Sequence, residues 1–393
     1  MGSSFKLFSV WGIDIKMHIT FPLILVWAAV QFGYLADGGT TGAIFGIIVV
    51  SLLFAIVTLH ELGHSYAALK YGVPVNDIVL LPIGGVAQLK RIPENPWQEF
   101  VIAIAGPAVN FALAVILWLI SIPTGYPLIP NLANVGAIEA ITLDQIFAYV
   151  FVYNLFLGVF NLLPAFPMDG GRILRAALAA RLPYHRATSI AATVGRGMAW
   201  LMGLYGFITG GYGLILIAFF IYLGAGQERS AVQLRSILGG LKVEQAYSRQ
   251  VQSLRLTDSL QDAVDITLSS FQATFPVRNE VGELKGILPY TRLVEALREQ
   301  DHSTPVGRVM ITDVPSVNPA QELIEAQQMI RESRGDALPV VENGRFLGLI
   351  TSNDIGEVLR LLSVDPNLLP RQKGPLEAPN EPATEKPAWP TTP

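Results

Sequence analysis

Two histidines four residues apart carry the clearest chemical signal in the sequence. Residues 60–64 read His60-Glu61-Leu62-Gly63-His64. On a helix, positions i and i+4 share a face, so both imidazoles can bind one zinc ion while Glu61 acts as general base toward a water on the metal. The motif follows closely after the apolar run 51–57. Ionisable side chains are costly at that depth of a membrane and mark a functional site. This segment is therefore predicted to be a helix that carries a metal site.

Two imidazoles leave a catalytic zinc ion one protein ligand short. The chain contains no cysteine, so the third ligand must come from a histidine or a carboxylate. Asp169 is the candidate, because Pro164 and Pro167 interrupt the helix before it and Gly170-Gly171 lets the backbone bend after it. The alternative for Asp169 is a helix-end cap at a turn.

The elements that must position these residues are membrane helices. Hydrophobic residues make up 51% of the 393 positions and charged residues only 15%, whereas soluble domains carry about 25% charged residues. Apolar stretches of roughly 20 residues, long enough to cross a bilayer, crowd the first 226 positions. The predicted spans lie at about 18–35, 43–66, 98–122, 145–166, 190–209 and 212–226.

Basic residues indicate the orientation of these spans. Loops on the side of the N-terminus contain Lys70, Lys90, Arg91, Arg172, Arg175, Arg181 and Arg186. Loops near 36–42, 123–144 and 210–211 contain no lysine or arginine. The positive-inside rule then predicts that the N-terminus and everything after residue 226 are cytoplasmic. His64 and Asp169 are expected at similar depth, near the cytoplasmic face of a cell membrane.

Together these two motifs resemble the site-2 protease family of intramembrane zinc metalloproteases. The resemblance covers the membrane part of the chain, through 60–64 on the second span and 161–170 at the end of the fourth. It implies one zinc ion held by His60, His64 and Asp169, with Glu61 as base. It also implies cleavage within or beside a transmembrane segment of single-span proteins, such as anti-sigma factors in bacteria.

Two asparagines in the spans are further candidates. The resemblance marks Asn161, eight residues before Asp169, as a polar residue near the scissile bond that can hold substrate backbone or stabilise an oxyanion. The alternative is a structural hydrogen bond between helices. Asn110 follows Gly106-Pro107-Ala108 in the third span, and we expect it either to bond to the active-site helices or to contact the substrate.

The segment 81–87 follows the second span and reads Leu-Pro-Ile-Gly-Gly-Val-Ala. Its β-branched residues and glycines predict a hairpin or a re-entrant strand, with a plain loop as the alternative. The resemblance implies that Gly84 and Gly85 belong to an element that docks the substrate. Such docking would suit an extended peptide, because a helical substrate must unwind before it is cleaved.

From about residue 236 the sequence changes to amphipathic segments with ordinary charge. Two stretches, near 275–288 and 338–354, each predict a strand, a turn, a strand and a helix, with a repeat length near 60 residues. They resemble a tandem pair of cystathionine-β-synthase-type (CBS) domains.

Such pairs often bind adenine nucleotides in clefts between the repeats. Thr351 and Asp354 suit phosphate and ribose hydroxyls in the second repeat, whereas Pro289 and Arg292 stand at those places in the first. The alternative is a docking or dimerisation module without a ligand, which would make a homodimer through the CBS domains. With a net charge of −4, the chain is not expected to bind nucleic acid.

The sequence thus predicts an α-helical polytopic membrane domain of about six spans followed by an α/β tandem CBS pair. The expected boundaries are 1–226 for the membrane domain, 227–240 for a linker, 241–300 and 301–364 for the CBS domains, and 365–393 for a disordered Pro-rich tail. Two other classes compete. A CBS-gated transporter predicts an inverted repeat that the membrane halves do not show, and a catalytically dead scaffold predicts the loss of Glu61.

Overall fold

Long helices make up most of the first part of the chain. The computed structural model describes residues 4–82, 84–89, 95–130, 141–270, 272–333, 335–365 and 368–369, so the expected tail lies almost entirely outside the described residues. The chain divides into two compact units, Met1–Val232 and Gln233–Pro393. The helices that begin in the first unit are α1 (Pro22–Val30), α2 (Gly39–Lys70), α3 (Pro96–Thr124), α4 (Leu143–Asn161), α5 (Asp169–Ala179), α6 (Tyr184–Thr209) and α7 (Tyr212–Leu238).

Four of these helices, α2, α3, α4 and α7, are long and apolar enough to cross a membrane. They coincide with four of the six predicted spans. Helix α1 continues into a π-helical turn, and together they form a shorter apolar helix, Pro22–Leu35. The helical membrane character of this unit is confirmed, whereas membrane crossing by α1 and α6 stays a prediction.

A four-stranded sheet belongs to the same unit. Its order is β1 (Ser4–Val10), β2 (Ile13–His18), β3 (Val75–Leu81) and β4 (Gly84–Leu89). The two inner strands are parallel and the outer pairs are antiparallel. Ile15 and Ile78 are fully buried in one cluster with Phe54 and Leu62 of α2. Residues 81 and 84–87 of the segment 81–87 therefore lie in the antiparallel pair β3–β4, as the predicted hairpin requires, whereas residue 83 lies outside the described residues. Strand β4 is at one edge of the described sheet.

Helix α3 approaches α2 closely through small residues. Asn95 caps the start of α3, because its Oδ1 accepts hydrogen bonds from the backbone N–H groups of Trp97 and Gln98. A Cβ built on Gly63 of α2 would lie 2.8 Å from the carbonyl oxygen of Ala105. Only glycine permits this crossing distance, which brings the backbone of α3 beside the two motif histidines.

The second unit contains the two strand–turn–strand–helix stretches that the sequence predicts, so the α/β architecture is confirmed. Its elements are β5 (Leu254–Arg255), α8 (Leu260–Ser270), β6 (Thr274–Arg278), β7 (Leu284–Pro289), α9 (Tyr290–Glu299), α10 (Leu323–Glu332), β8 (Ala337–Glu342), β9 (Arg345–Thr351) and α11 (Ser352–Val364). The pairs β6–β7 and β8–β9 are antiparallel hairpins.

One half of the second unit is built from two separate stretches of the chain. Leu241 and Val243 are fully buried in one hydrophobic core with Leu338 of β8. The other core lies within one stretch that runs from Leu254 to Val309 and includes the fully buried Val306. The start of the first predicted repeat thus completes the core of the second, and the first core extends past the predicted boundary at residue 300.

Candidate active site

The two motif histidines lie on one face of α2. His60 is 4% exposed and His64 is 6% exposed. Their Nε2 atoms are 3.1 Å apart and the rings meet edge to face. Because both side chains are shielded from water, the polar Nε2 atoms need a partner inside the protein.

Asp169 completes the cluster from the first residue of α5. Its Oδ2 atom lies 3.1 Å from Nε2 of His60 and 3.1 Å from Nε2 of His64. The turn between α4 and α5 depends on glycine, because a Cβ at Gly170 would overlap the carbonyl oxygen of Leu163. The structure therefore brings together the three residues that the sequence singled out as ligands.

Hydrogen bonds behind the histidines fix how their rings are protonated. Nδ1 of His64 lies 2.7 Å from the carbonyl oxygen of Ile102, which can only accept a hydrogen bond, so Nδ1 donates. Nδ1 of His60 lies 2.5 Å from Oδ1 of Asn110. A metal ion binds only neutral imidazole, and with Nδ1 as the donor in both rings, both Nε2 atoms would present lone pairs to a bound ion.

The orientation of Asn110 is itself held by a second asparagine. Nδ2 of Asn110 donates to Oδ1 of Asn154 at 2.9 Å, and Nδ2 of Asn154 donates to the carbonyl oxygen of Asn110 at 2.9 Å. Asn154 is fully buried on α4. Asn154 positions Asn110, and the sequence analysis did not identify it. Its polar side chain within an apolar span was the signal that could have found it.

A zinc ion fits this donor set. Tetrahedral ligands at the usual zinc distances lie about 3.3 Å from one another, and the three donor atoms here are 3.1 Å apart. Gly106 of α3 faces the same space, because a Cβ there would overlap Nε2 of His64 and lie 2.7 Å from Nε2 of His60. The cluster of His60, His64 and Asp169 is thus a group of buried ligands that can hold a metal ion.

Glu61 touches the edge strand of the sheet. Its Oε2 accepts a hydrogen bond of 3.2 Å from the backbone N–H of Ala87 on β4. A Cβ on Gly85 would lie 2.9 Å from Cγ of Glu61. Strand β4 therefore approaches α2 most closely at a residue of the strand that has no side chain. The predicted base and one of the predicted substrate-docking glycines are therefore neighbours, and Gly84 precedes them at the start of β4.

The two asparagine predictions have different outcomes. Asn161 ends α4, and its Nδ2 donates to the carbonyl oxygen of Leu157 in the same helix at 3.0 Å, so its substrate role stays a prediction. Asn110 is 1% exposed and both ends of its amide are engaged. The bond to His60 is one of the two contacts expected of Asn110, and its contact with the substrate stays a prediction.

In the second unit, Thr351 and Asp354 form a helix cap. Oδ2 of Asp354 accepts hydrogen bonds from the backbone N–H and the hydroxyl of Thr351, at 2.8 and 2.7 Å. Oδ1 of Asp354 accepts a bond of 2.8 Å from the hydroxyl of Ser248. Their predicted role in nucleotide binding stays a prediction. A cavity of about 470 Å³ lies elsewhere in this unit, lined in part by Ile287 and Met329.

Comparison with known proteins places the site in a family. The sequence profile of peptidase family M50 matches residues 48–202, and that of the CBS domain matches residues 306–360. Zinc metalloprotease MJ0392 of Methanocaldococcus jannaschii is 34% identical over 375 residues, which cover 94% of this chain and 99% of that protein. Rip3 of Mycobacterium tuberculosis is 27% identical over 388 residues, covering 93% and 96%.

Among solved structures, a site-2 protease from Methanocaldococcus jannaschii is 42% identical, with a TM-score of 0.44, and covers 57% of this chain and 95% of that one. The chain belongs to the site-2 protease family, peptidase family M50, with a C-terminal CBS domain. It is a metalloprotease, and the family implies zinc as its metal.

Proposed function

We propose that the protein hydrolyses a peptide bond within or beside the transmembrane segment of a single-span membrane protein, for example an anti-sigma factor. The observation that carries this proposal is the buried donor cluster of His60, His64 and Asp169, with Glu61 beside it. This cluster lies in a unit with membrane-length helices.

The residues of the cluster take separate roles in this reaction. Bound zinc would supply a Lewis acid that polarises the scissile carbonyl and activates water. His60, His64 and Asp169 hold the ion, and Asn110 keeps the donor nitrogen of His60 turned toward it. Glu61 takes a proton from the attacking water and delivers it to the nitrogen that leaves when the peptide C–N bond breaks.

The edge strand β4 is the proposed docking site for the substrate. An unpaired strand edge can add an extended peptide through main-chain hydrogen bonds. Gly85 lets the backbone of this strand approach Glu61, because a Cβ there would lie 2.9 Å from Cγ of that residue, and Ala87 of the same strand already contacts the carboxylate. Gly84 is proposed to contact the peptide at the start of the strand. A peptide on this strand would therefore lie beside the base, with Asn161 proposed to contact it.

The orientation is proposed from the basic residues. We propose that the N- and C-termini are cytoplasmic and that the site opens near the cytoplasmic face, because the lysines and arginines concentrate in segments between predicted spans on that side. Ser3→Cys and, separately, Pro390→Cys should then react with a membrane-impermeant thiol reagent only after the cytoplasmic side is opened. Labelling of either position in intact cells would contradict the orientation.

The decisive experiment is cleavage of a single-span substrate in liposomes by parental protein and by Glu61→Gln. The variant should keep its zinc but lose about 10²- to 10⁴-fold in rate, since glutamine cannot accept the proton. Glu283→Gln, at an exposed carboxylate of the second unit, is the matched control and should cleave at the parental rate. A zinc-loaded Glu61→Gln protein with parental activity would remove Glu61 as base.

For the second unit we propose a regulatory role, either as a dimerisation module or through an adenine nucleotide. The bonds from Ser248 and Thr351 to Asp354 favour dimerisation, because this carboxylate already has partners. Light scattering should show a homodimer, and calorimetric titration with ATP tests the nucleotide. A monomer that binds no ATP would contradict both forms of the proposal.

A further inference from the structure

A buried arginine lies at the junction of four elements in the first unit. Arg175 of α5 is 1% exposed. Its guanidinium donates through Nε to Oε1 of Glu99 on α3 at 2.7 Å and also pairs with Glu228 on α7. The same group lies 4.9 Å from the ring centre of Phe166 and 5.0 Å from that of Tyr184, the first residue of α6.

Arg175 shares a short helix with Asp169, the residue of the candidate metal site. Arg175 and Asp169 belong to the same 11-residue helix, six positions apart, and Phe166 stands three positions before Asp169. A short helix moves as one body, so a change at the Arg175 end displaces the carboxylate at the other end. A charged group buried without partners is strongly destabilising. Separation of α5 from α3 and α7 would leave Arg175 without Glu99 and Glu228, so these ion pairs hold α5 against both helices.

The two carboxylates that hold Arg175 are not equivalent. The side chain of Glu99 is 4% exposed, whereas that of Glu228 is 25% exposed. Release of Glu99 would leave a charge in a dry interior, but Glu228 already contacts solvent and can be rehydrated at lower cost. The pair with Glu228 is therefore the contact that can open while α5 stays folded.

We propose that Arg175 is a positioning residue for Asp169, and that its ion pair with Glu228 is needed for that role. This inference rests on the proposed function, since it assigns a support to the same metal site. While Arg175 is paired with both carboxylates, α5 is held in place and Asp169 stays with the histidines. When the pair with Glu228 is lost, Arg175 keeps only Glu99, α5 relaxes, and the metal is held less tightly.

The test measures zinc release from the full-length protein into an excess of a chromophoric chelator. Glu228→Gln removes the charge of the releasable partner and should speed zinc loss at least about tenfold, the usual effect of removing support behind a metal ligand. Glu228→Asp keeps the charge and should restore part of the retention. Arg229→Gln changes a charge at the next position of α7 and is the matched control, with release expected at the parental rate.

Failure of this inference is distinguishable from failure of the proposed function. A parental protein that neither keeps zinc nor cleaves a single-span substrate contradicts the proposed function. A parental protein that does both, while Glu228→Gln releases zinc at the parental rate, overturns only the role of the ion pair. Parental thermal unfolding of Glu228→Gln would show that its effect on zinc does not come from global loss of structure.

Discussion

Replacement of Gly106 by alanine should remove zinc from the protein while leaving α3 helical. The new Cβ would lie 2.7 Å from Nε2 of His60, whereas ordinary contacts begin at 3.4 Å, so the ring must move by 3.4 − 2.7 = 0.7 Å. Metal–ligand distances tolerate about 0.2 Å. His64 is crowded still more closely by the same atom, so two of the three ligands are displaced together.

The assay is metal analysis of purified Gly106→Ala protein alongside its thermal unfolding. Alanine is otherwise the better helix former, by about 0.5–1 kcal/mol, so the matched control is Gly197→Ala on α6, where a Cβ meets nothing within 4 Å. The control should keep zinc and unfold at the same or a higher temperature. Full zinc occupancy in Gly106→Ala would refute the assignment of the space beside Gly106 to the metal.

Three other substitutions test parts of the structure. Asp169→Ala should lower zinc occupancy as well as cleavage, because two imidazoles hold the metal weakly; a fully occupied variant would remove Asp169 from the site. Asn154→Leu should weaken zinc binding about 10- to 100-fold in competition with a chelator, because Asn110 loses both hydrogen bonds to position 154; unchanged affinity would mean that the pair only packs helices. Thr351→Ala should lower the free energy of unfolding of the second unit by about 1 kcal/mol through loss of the cap of α11. Calorimetry measures this change, and altered zinc content would contradict a purely local effect.

The three grouped candidate ligands could be predicted from the sequence because their signal is local. The spacing of His60 and His64 needs only helical periodicity, and Asp169 is marked by the prolines and glycines around it. The absence of cysteine narrowed the choice further, because the third zinc ligand then had to be a histidine or a carboxylate. The long apolar helices were predicted for the same reason, as hydrophobic length is a property of one segment.

Features that depend on how segments meet could not be predicted. The hydrogen bond from His60 to Asn110 requires a particular rotation of α3 against α2, which no local pattern specifies. Strand β2 pairs in parallel with β3, although α1 and α2 separate the two strands in the sequence. The sequence analysis placed the start of the first span at residue 18 and did not predict the hairpin of β1 and β2 before it. Arg175 was counted only as a basic loop residue, because its partners Glu99 and Glu228 are distant in sequence.

The packing of residues 238–243 against the second repeat has a consequence for how the second unit unfolds. A fragment that begins at residue 301 would lack Leu238, Leu241 and Val243, each fully buried in the core it needs. Burial of three such side chains contributes about 5–9 kcal/mol, which is comparable with the whole stability of an ordinary domain, about 5–15 kcal/mol. The second repeat therefore cannot stay folded once these residues leave its core. Melting of that core and release of the end of α7 should be one cooperative event.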